Sequence, residues 1–121
     1  MKKEFEKQFS EAVKLKKTGQ FECAKKILLD LQEKDPQSTA ILAVLGDICW
    51  DMQLLEEAVS TFRRAIELSP TLEAVSLGLF HCLWELGKHE EALEEVKRFQ
   101  SLSDSEDYRE IVKEINEKSS Q

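Results

Sequence analysis

Apolar side chains recur along this chain at the three- and four-residue intervals of a helix. One stripe opens the chain, and similar stripes follow within residues 24–31 and 41–49. No segment alternates apolar and polar residues over a useful length, so the pattern predicts no strands. The first stripe consists of Phe5, Phe9, Ala12, Val13 and Leu15. The chain is therefore expected to be all-α.

Helix-breaking residues divide the chain into segments of ordinary helix length. Pro36 and Pro70 end helices because proline lacks the amide hydrogen and clashes with the preceding turn. Further turns are expected at Gly19, Gln53 and Gly87 and within residues 101–105. Between these positions the segments run to roughly a dozen to sixteen residues, which is typical of single helices.

The sequence repeats itself every 34 residues. Pro36 and Pro70 are 34 positions apart, and Ala24, Ala58 and Ala92 keep the same spacing. Trp50 and Trp84 also differ by 34 positions, and Gly19 and Gly87 differ by 68. A fixed period of this length, with two helices in each unit, indicates a helical solenoid.

The residues in this frame resemble the tetratricopeptide repeat family. The middle repeat fits best, through Leu42, Leu45, Gly46, Cys49, Ala58, Phe62, Ala65 and Pro70. The resemblance implies an all-α, right-handed α-solenoid of three helix-turn-helix repeats, at about 5–38, 39–72 and 73–106. Gly46 and Ala58 are small where two helices approach closely, and Phe62 is expected to fill the gap to the next repeat.

The third repeat departs from the family pattern, and a further helix is expected after it. Phe80 stands at the position of Gly46, and Asp104 replaces the proline. A capping helix is predicted at about 105–118, with a single domain over 1–118 and a frayed tail at 119–121; the cap is the seventh helix. Its apolar stripe consists of Tyr108, Ile111, Val112 and Ile115.

The 121-residue chain is acidic, with 17 basic and 24 acidic residues and a net charge of -7. Residues 1–34 carry a net +3, residues 35–72 a net -4, and residues 73–121 a net -6. A nucleic-acid partner is not expected, because phosphate binding needs a basic surface. The acidic end has two interpretations, a solvated surface or a surface that steers a basic partner inward.

Two further features predict a cytoplasmic protein. No stretch of about 18 apolar residues is present, and no apolar run follows the basic start, so neither a membrane span nor a secretory signal is expected. Cys23, Cys49 and Cys82 are odd in number and form no CxxC, which disfavours a disulfide framework. Each is expected to act as a small hydrophobic residue in a helix.

No motif predicts catalysis, and we expect no catalytic residue, cofactor or metal. Phosphate loops, dinucleotide fingerprints and HExxH are missing. A metal site from Cys49, His81 and Cys82 is disfavoured, because adjacent residues on one helix point about 100° apart. Acidic pairs such as Glu94 and Glu95 are expected to stay solvated near helix starts.

The family resemblance implies a concave, peptide-binding groove lined by the first helix of each repeat. The expected groove residues are Phe9, Val13, Lys16, Ala40, Ala43, Asp47, Trp50, Leu77, His81 and Trp84, with Glu6 and Ala74 at equivalent positions. Trp50 and Trp84 occupy the same phase of successive repeats, so they are expected to stand side by side. At least partial exposure is predicted for both, the alternative being that they pack between first helices and form the floor of the groove.

The best-known ligands of this family are acidic chaperone tails, which a clamp of Lys, Asn and Arg binds. Those positions are occupied here by Phe9, Val13, Val44, Ala74 and Gly78, so this role is disfavoured. The favoured function is a non-enzymatic protein-interaction module that binds a peptide or helix and is monomeric or a weak homo-oligomer. The alternatives are an acidic inhibitor, immunity protein or chaperone that masks a basic partner, and structural self-assembly through repeat faces.

Overall fold

A computed structural model describes residues 2–119, which form seven helices and no strand. The helices are α1 (Lys2–Lys17), α2 (Phe21–Lys34), α3 (Thr39–Asp51), α4 (Leu55–Leu68), α5 (Glu73–Glu85), α6 (His89–Leu102) and α7 (Glu106–Ser119). The all-α prediction is confirmed. Of the predicted tail, Ser119 is the last residue of α7, and positions 120 and 121 lie outside the described residues.

Successive helices pack as three helix-turn-helix pairs, α1–α2, α3–α4 and α5–α6. Each pair turns at the same backbone position, where Gly19, Gln53 and Gly87 adopt φ values of 80°, 62° and 77°. The next residue donates its amide to a carbonyl five positions back, as in Leu54 to Cys49 at 2.8 Å. Because α3 also contacts α1 and α5, the first helices of the repeats lie side by side.

The small residues of the repeat mark the closest approaches between helices. Ala24, Ala58 and Ala92 are all fully buried. The Phe62 ring lies between α3 and α5, because a Cβ placed on Gly46 would be 2.4 Å from it and one on Gly78 would be 2.7 Å from it. The predicted role of Phe62 in filling the gap to the next repeat is confirmed.

The buried side chains form two clusters that share α3. The smaller cluster joins Leu28 and Leu31 of α2 to Ile41, Leu45 and Ile48 of α3. The larger cluster begins with Leu42 and Cys49 on the other faces of α3 and extends through α4, α5 and α6 to Tyr108 of α7. Helix α3 therefore contributes two neighbouring faces, about 90° apart around its axis, to two separate cores.

A buried chain of hydrogen bonds fastens α7 to the third repeat. The Tyr108 hydroxyl donates to Ser76 Oγ at 2.6 Å, and Ser76 Oγ donates to Glu95 Oε2 at 2.5 Å. Arg98 donates to both carboxylate oxygens of Glu95, at 2.8 and 2.7 Å, and to the Pro70 carbonyl at 3.0 Å. The expectation that Glu95 stays solvated is wrong: only 6% of it is exposed. Its charge is instead neutralised by a bidentate arginine.

The three cysteines are free thiols with different surroundings. Cys49 and Cys82 are buried, and burial raises their thiol pKa values to about 11 and about 12. Cys23 is exposed on α2, so the expectation of an apolar environment is wrong for this residue. Ala24, one position further, faces the core instead. Within the described chain, each helix falls short of the length and apolarity that a membrane span requires.

Candidate partner-binding groove

The expected groove residues all lie on α1, α3 and α5, the helices that lie side by side. None of the ten is buried: Ala40 is exposed, and the other nine are partly exposed. Side chains that pack on the core from this surface include Phe9 of α1, Ala43 and Trp50 of α3, and Leu77 of α5. The surface is therefore largely apolar and remains open to solvent.

Three contacts bring part of this set together across neighbouring helices. Lys16 of α1 pairs with Asp51 of α3 at 3.8 Å. The Trp50 indole stacks on His81 of α5, with ring centroids 5.7 Å apart and planes 15° apart. The same indole donates its N–H to Glu85 Oε1 at 3.5 Å. Ala40 takes no part in these contacts.

Both tryptophans are partly exposed, as predicted, but they do not contact each other. Trp84 stacks on His89 of α6, with centroids 4.1 Å apart, and on Phe80 at 5.7 Å. Trp50 stacks on His81, and His81 meets the Phe80 ring edge-on at 5.2 Å. The expected side-by-side pair is therefore wrong: a row of five rings, in which His81 and Phe80 separate the indoles, takes its place.

Asp47 is the central charged residue among the expected groove residues. It is partly buried one turn before Trp50 on α3. Burial raises the pKa of its carboxyl group, nearby Lys16 lowers this pKa, and Asp51 adds to the increase. Among residues 2–119 no side chain forms a hydrogen bond or a contact ion pair with this carboxylate. Its charge is held in a partly apolar environment.

An open cleft of about 380 Å³ lies between α5 and α7, and the expected groove residues His81 and Trp84 line it. Its walls are Phe80, His81 and Trp84 from α5, and Ile111, Glu114, Ile115, Lys118 and Ser119 from α7. The sequence pattern places Ile111 and Ile115 only in the cap and marks Phe80 only as a departure from the family pattern. The sequence nevertheless contains a signal for the cleft. The large ring of Phe80, at a position that is normally small, leaves a wider gap between α5 and the helix α7 that covers it.

The histidine and cysteines near this surface do not assemble into a site. His81 is partly exposed on α5, whereas Cys49 and Cys82 are buried and have raised thiol pKa values. The part of the chain that the structure describes contains no group of three or more His, Cys, Asp or Glu residues that could hold a metal ion.

Paired helices in a fixed period, with an open apolar surface on the first helices, define a helical-repeat protein-interaction module. The family model "Tetratricopeptide repeat" matches residues 50–110, just over half of the chain. The chain belongs to the tetratricopeptide repeat family. No curated protein matches the sequence significantly.

Solved structures with the same fold include secretion chaperones. SycD, the type III secretion translocator chaperone of Yersinia enterocolitica, superposes with a TM-score of 0.78 at 18% identity, over 93% of this chain and 86% of SycD. A SycD complex with a peptide of the translocator YopD gives a TM-score of 0.79 with the same identity and coverage. A mutant of the protein MamA gives 0.75 at 20% identity, over 84% of this chain and 74% of MamA.

Proposed function

We propose that this chain is a non-enzymatic module that binds a peptide or helical segment of a partner protein in its concave groove. The observation that carries the proposal is the position of Trp50 and Trp84, which are partly exposed at the two ends of the His81–Phe80 ring pair, with Trp84 lining an open, largely apolar cleft. Such aromatic residues concentrate binding energy at interfaces. The peptide complex of SycD, a protein of the same fold, supports this mode of binding. The proposal includes a cytoplasmic location, which the free cysteines support.

The test uses the partner that the immobilised protein captures from a lysate of its own source cells, identified by mass spectrometry. Trp50→Ala and Trp84→Ala are each expected to weaken binding of that partner by at least about 1 kcal/mol. Leu29→Ala is the matched control, because Leu29 is a large apolar side chain on α2 that is 45% exposed and lies outside the groove. Titration calorimetry with the purified partner measures the three variants.

Urea unfolding of the same variants separates binding from stability. Truncation of a fully buried tryptophan costs about 3–5 kcal/mol, and a partly exposed one should cost clearly less. If both tryptophan variants lose several kcal/mol yet bind normally when folded, the indoles belong to the core and the groove assignment fails.

The two alternative functions predict other results. An acidic inhibitor of a basic partner would bind with a strong dependence on salt and would tolerate both tryptophan substitutions. Self-assembly through repeat faces would appear as a concentration-dependent mass in size exclusion with light scattering.

A further inference from the structure

Carboxylates surround the Trp50 end of the groove. Asp47 and Asp51 lie on the same helix as Trp50, and Glu85 accepts the indole N–H from α5. Asp51 is paired with Lys16 at 3.8 Å, whereas Asp47 forms no contact ion pair within residues 2–119. A carboxylate without a contact ion pair therefore remains one turn away from the partly exposed Trp50 indole.

The partial burial of Asp47 makes its charge sensitive to an incoming cation. Charge pairs in a partly apolar environment attract more strongly than the same pairs in water. The raised pKa of Asp47 has burial as its largest cause, so the ionised form at neutral pH lowers stability in the unliganded protein. A cation supplied by a ligand would remove this cost.

The rings beside Asp47 also suit a cation. A lysine or arginine side chain is attracted to the face of an indole, and more so when it is partly desolvated. Because His81 stacks on one face of the Trp50 indole, the cation would lie on the other face. His81 connects this place to the α5–α7 cleft, because it stacks on Trp50 and also lines the cleft. The cleft volume of about 380 Å³ is within the range of sites that enclose apolar ligand groups. One short segment can therefore reach both places.

We propose that the groove accepts a cationic amphipathic segment, whose lysine or arginine lies over Trp50 beside Asp47 and Glu85 and whose neighbouring apolar side chain enters the α5–α7 cleft. This inference rests on the proposed function and specifies the chemistry of the partner. Charge complementarity selects this occupant: Asp51 is paired with Lys16, and Glu114 and Lys118 both line the cleft, which leaves Asp47 and Glu85 as the net negative charge at the Trp50 end. A second copy is disfavoured, since each copy carries a net charge of -7.

The first experiment selects binders from a random displayed-peptide library on the immobilised full chain at low salt. The enriched peptides are expected to share a lysine or arginine close to a large apolar residue. They should bind Trp84→Ala more weakly than the wild type, which locates them in the groove.

The second experiment couples the two charges. Asp47→Asn is expected to weaken an enriched peptide about five- to tenfold. A peptide whose basic residue is replaced by glutamine should bind the wild-type protein as weakly as the original peptide binds Asp47→Asn. The affinity of this glutamine peptide should fall little further when it is tested on Asp47→Asn. Glu67→Gln is the matched control, because it removes an exposed carboxylate of α4 and should leave the affinity unchanged. Urea unfolding should show that Asp47→Asn is no less stable than the wild type.

The outcomes distinguish the proposal that the ligand is cationic from the proposal that the groove binds a partner segment. Enriched peptides that require Trp84 but are acidic or lack a basic residue would overturn the cationic segment and leave the groove function standing. Peptides that bind Trp50→Ala and Trp84→Ala as well as the wild type would overturn both. An absence of enrichment above a blank surface also counts against both.

Discussion

Phe62 is the residue on which the contact between the second and third repeats depends most directly. Its ring is 1% exposed and touches the backbone of two helices at glycines, Gly46 on α3 and Gly78 on α5. Interiors are packed so closely that a single added methyl group is felt. The absence of a side chain at these two positions is therefore a packing requirement.

Gly46→Ala is expected to lower the free energy of unfolding by about 1–3 kcal/mol. The sign is informative, because alanine in place of glycine within a helix normally stabilises it by up to about 1 kcal/mol. Here the new Cβ would lie 2.4 Å from Phe62 Cε1. Urea unfolding measures the change, and Phe62→Leu in the same background should recover part of it. A Gly46→Ala variant as stable as the wild type would contradict this packing.

For single residues, the sequence predicts which positions the repeating backbone brings together better than it predicts which aromatic rings stack. The role of Phe62 follows from its place in the 34-residue frame, since small and large positions repeat with the backbone. The ring partners of Trp50 and Trp84 do not follow from this frame. His81 and His89 contact the indoles through particular side-chain rotamers, which the sequence spacing does not determine. The cleft residue Phe80 is visible only as an irregularity in the pattern.

Buried hydrogen bonds hold helix α7 at its first turn. Tyr108 is fully buried, its hydroxyl donates to Ser76, and its backbone amide donates to Ser105 Oγ at 3.1 Å. Towards the end of the helix, Ile115 and Lys118 line the open cleft, and Ile115 is only partly buried against the larger core. The helix is thus hydrogen-bonded to the third repeat at one end and borders the α5–α7 cleft at the other.

Tyr108→Phe is expected to destabilise the protein by about 1–2 kcal/mol, since it removes the hydroxyl that donates to buried Ser76. Ser76→Ala should cost at least as much, because it also removes the bond to Glu95. In both variants, amide hydrogen exchange is expected to accelerate more in α7 than in the other helices. Unchanged exchange in α7 of both variants would contradict this anchoring role.

The capping helix could be predicted from the sequence, but the way it is attached could not. The stripe of Tyr108, Ile111 and Ile115 identifies α7 as amphipathic. The attachment joins Ser76, Glu95 and Tyr108 from three helices, and no pattern within one helix indicates such a contact. Glu95 resembles its solvated neighbours in sequence and differs only in its tertiary partners.

The whole molecule has two cores that meet at α3, and both tryptophans pack on the larger one. In repeat proteins each unit is stabilised mainly by its neighbours, so end units can open separately. Circular dichroism, which reports all helices, is therefore expected to begin its transition at lower urea concentration than tryptophan fluorescence. Coincident curves would indicate a single cooperative unit instead.

A matched pair of substitutions tests the origin of this difference. Leu28 belongs to the smaller cluster and Leu83 to the larger, and both are fully buried. Each leucine-to-alanine change should cost about 2–5 kcal/mol locally. Leu28→Ala should widen the gap between the two curves, whereas Leu83→Ala should shift the fluorescence transition itself.

The division of α3 between two cores also has a consequence for how such a protein can diversify. The α1–α2 hairpin can be exchanged for another at its boundary with α3, provided that the replacement hairpin packs on the face formed by Ile41, Leu45 and Ile48. The adjacent face of α3, with Leu42 and Cys49, would keep its neighbours. Recombination at this boundary would replace the basic end of the groove, including Lys16, and preserve the aromatic end around Trp84. Specificity could thus be inherited in two separable halves.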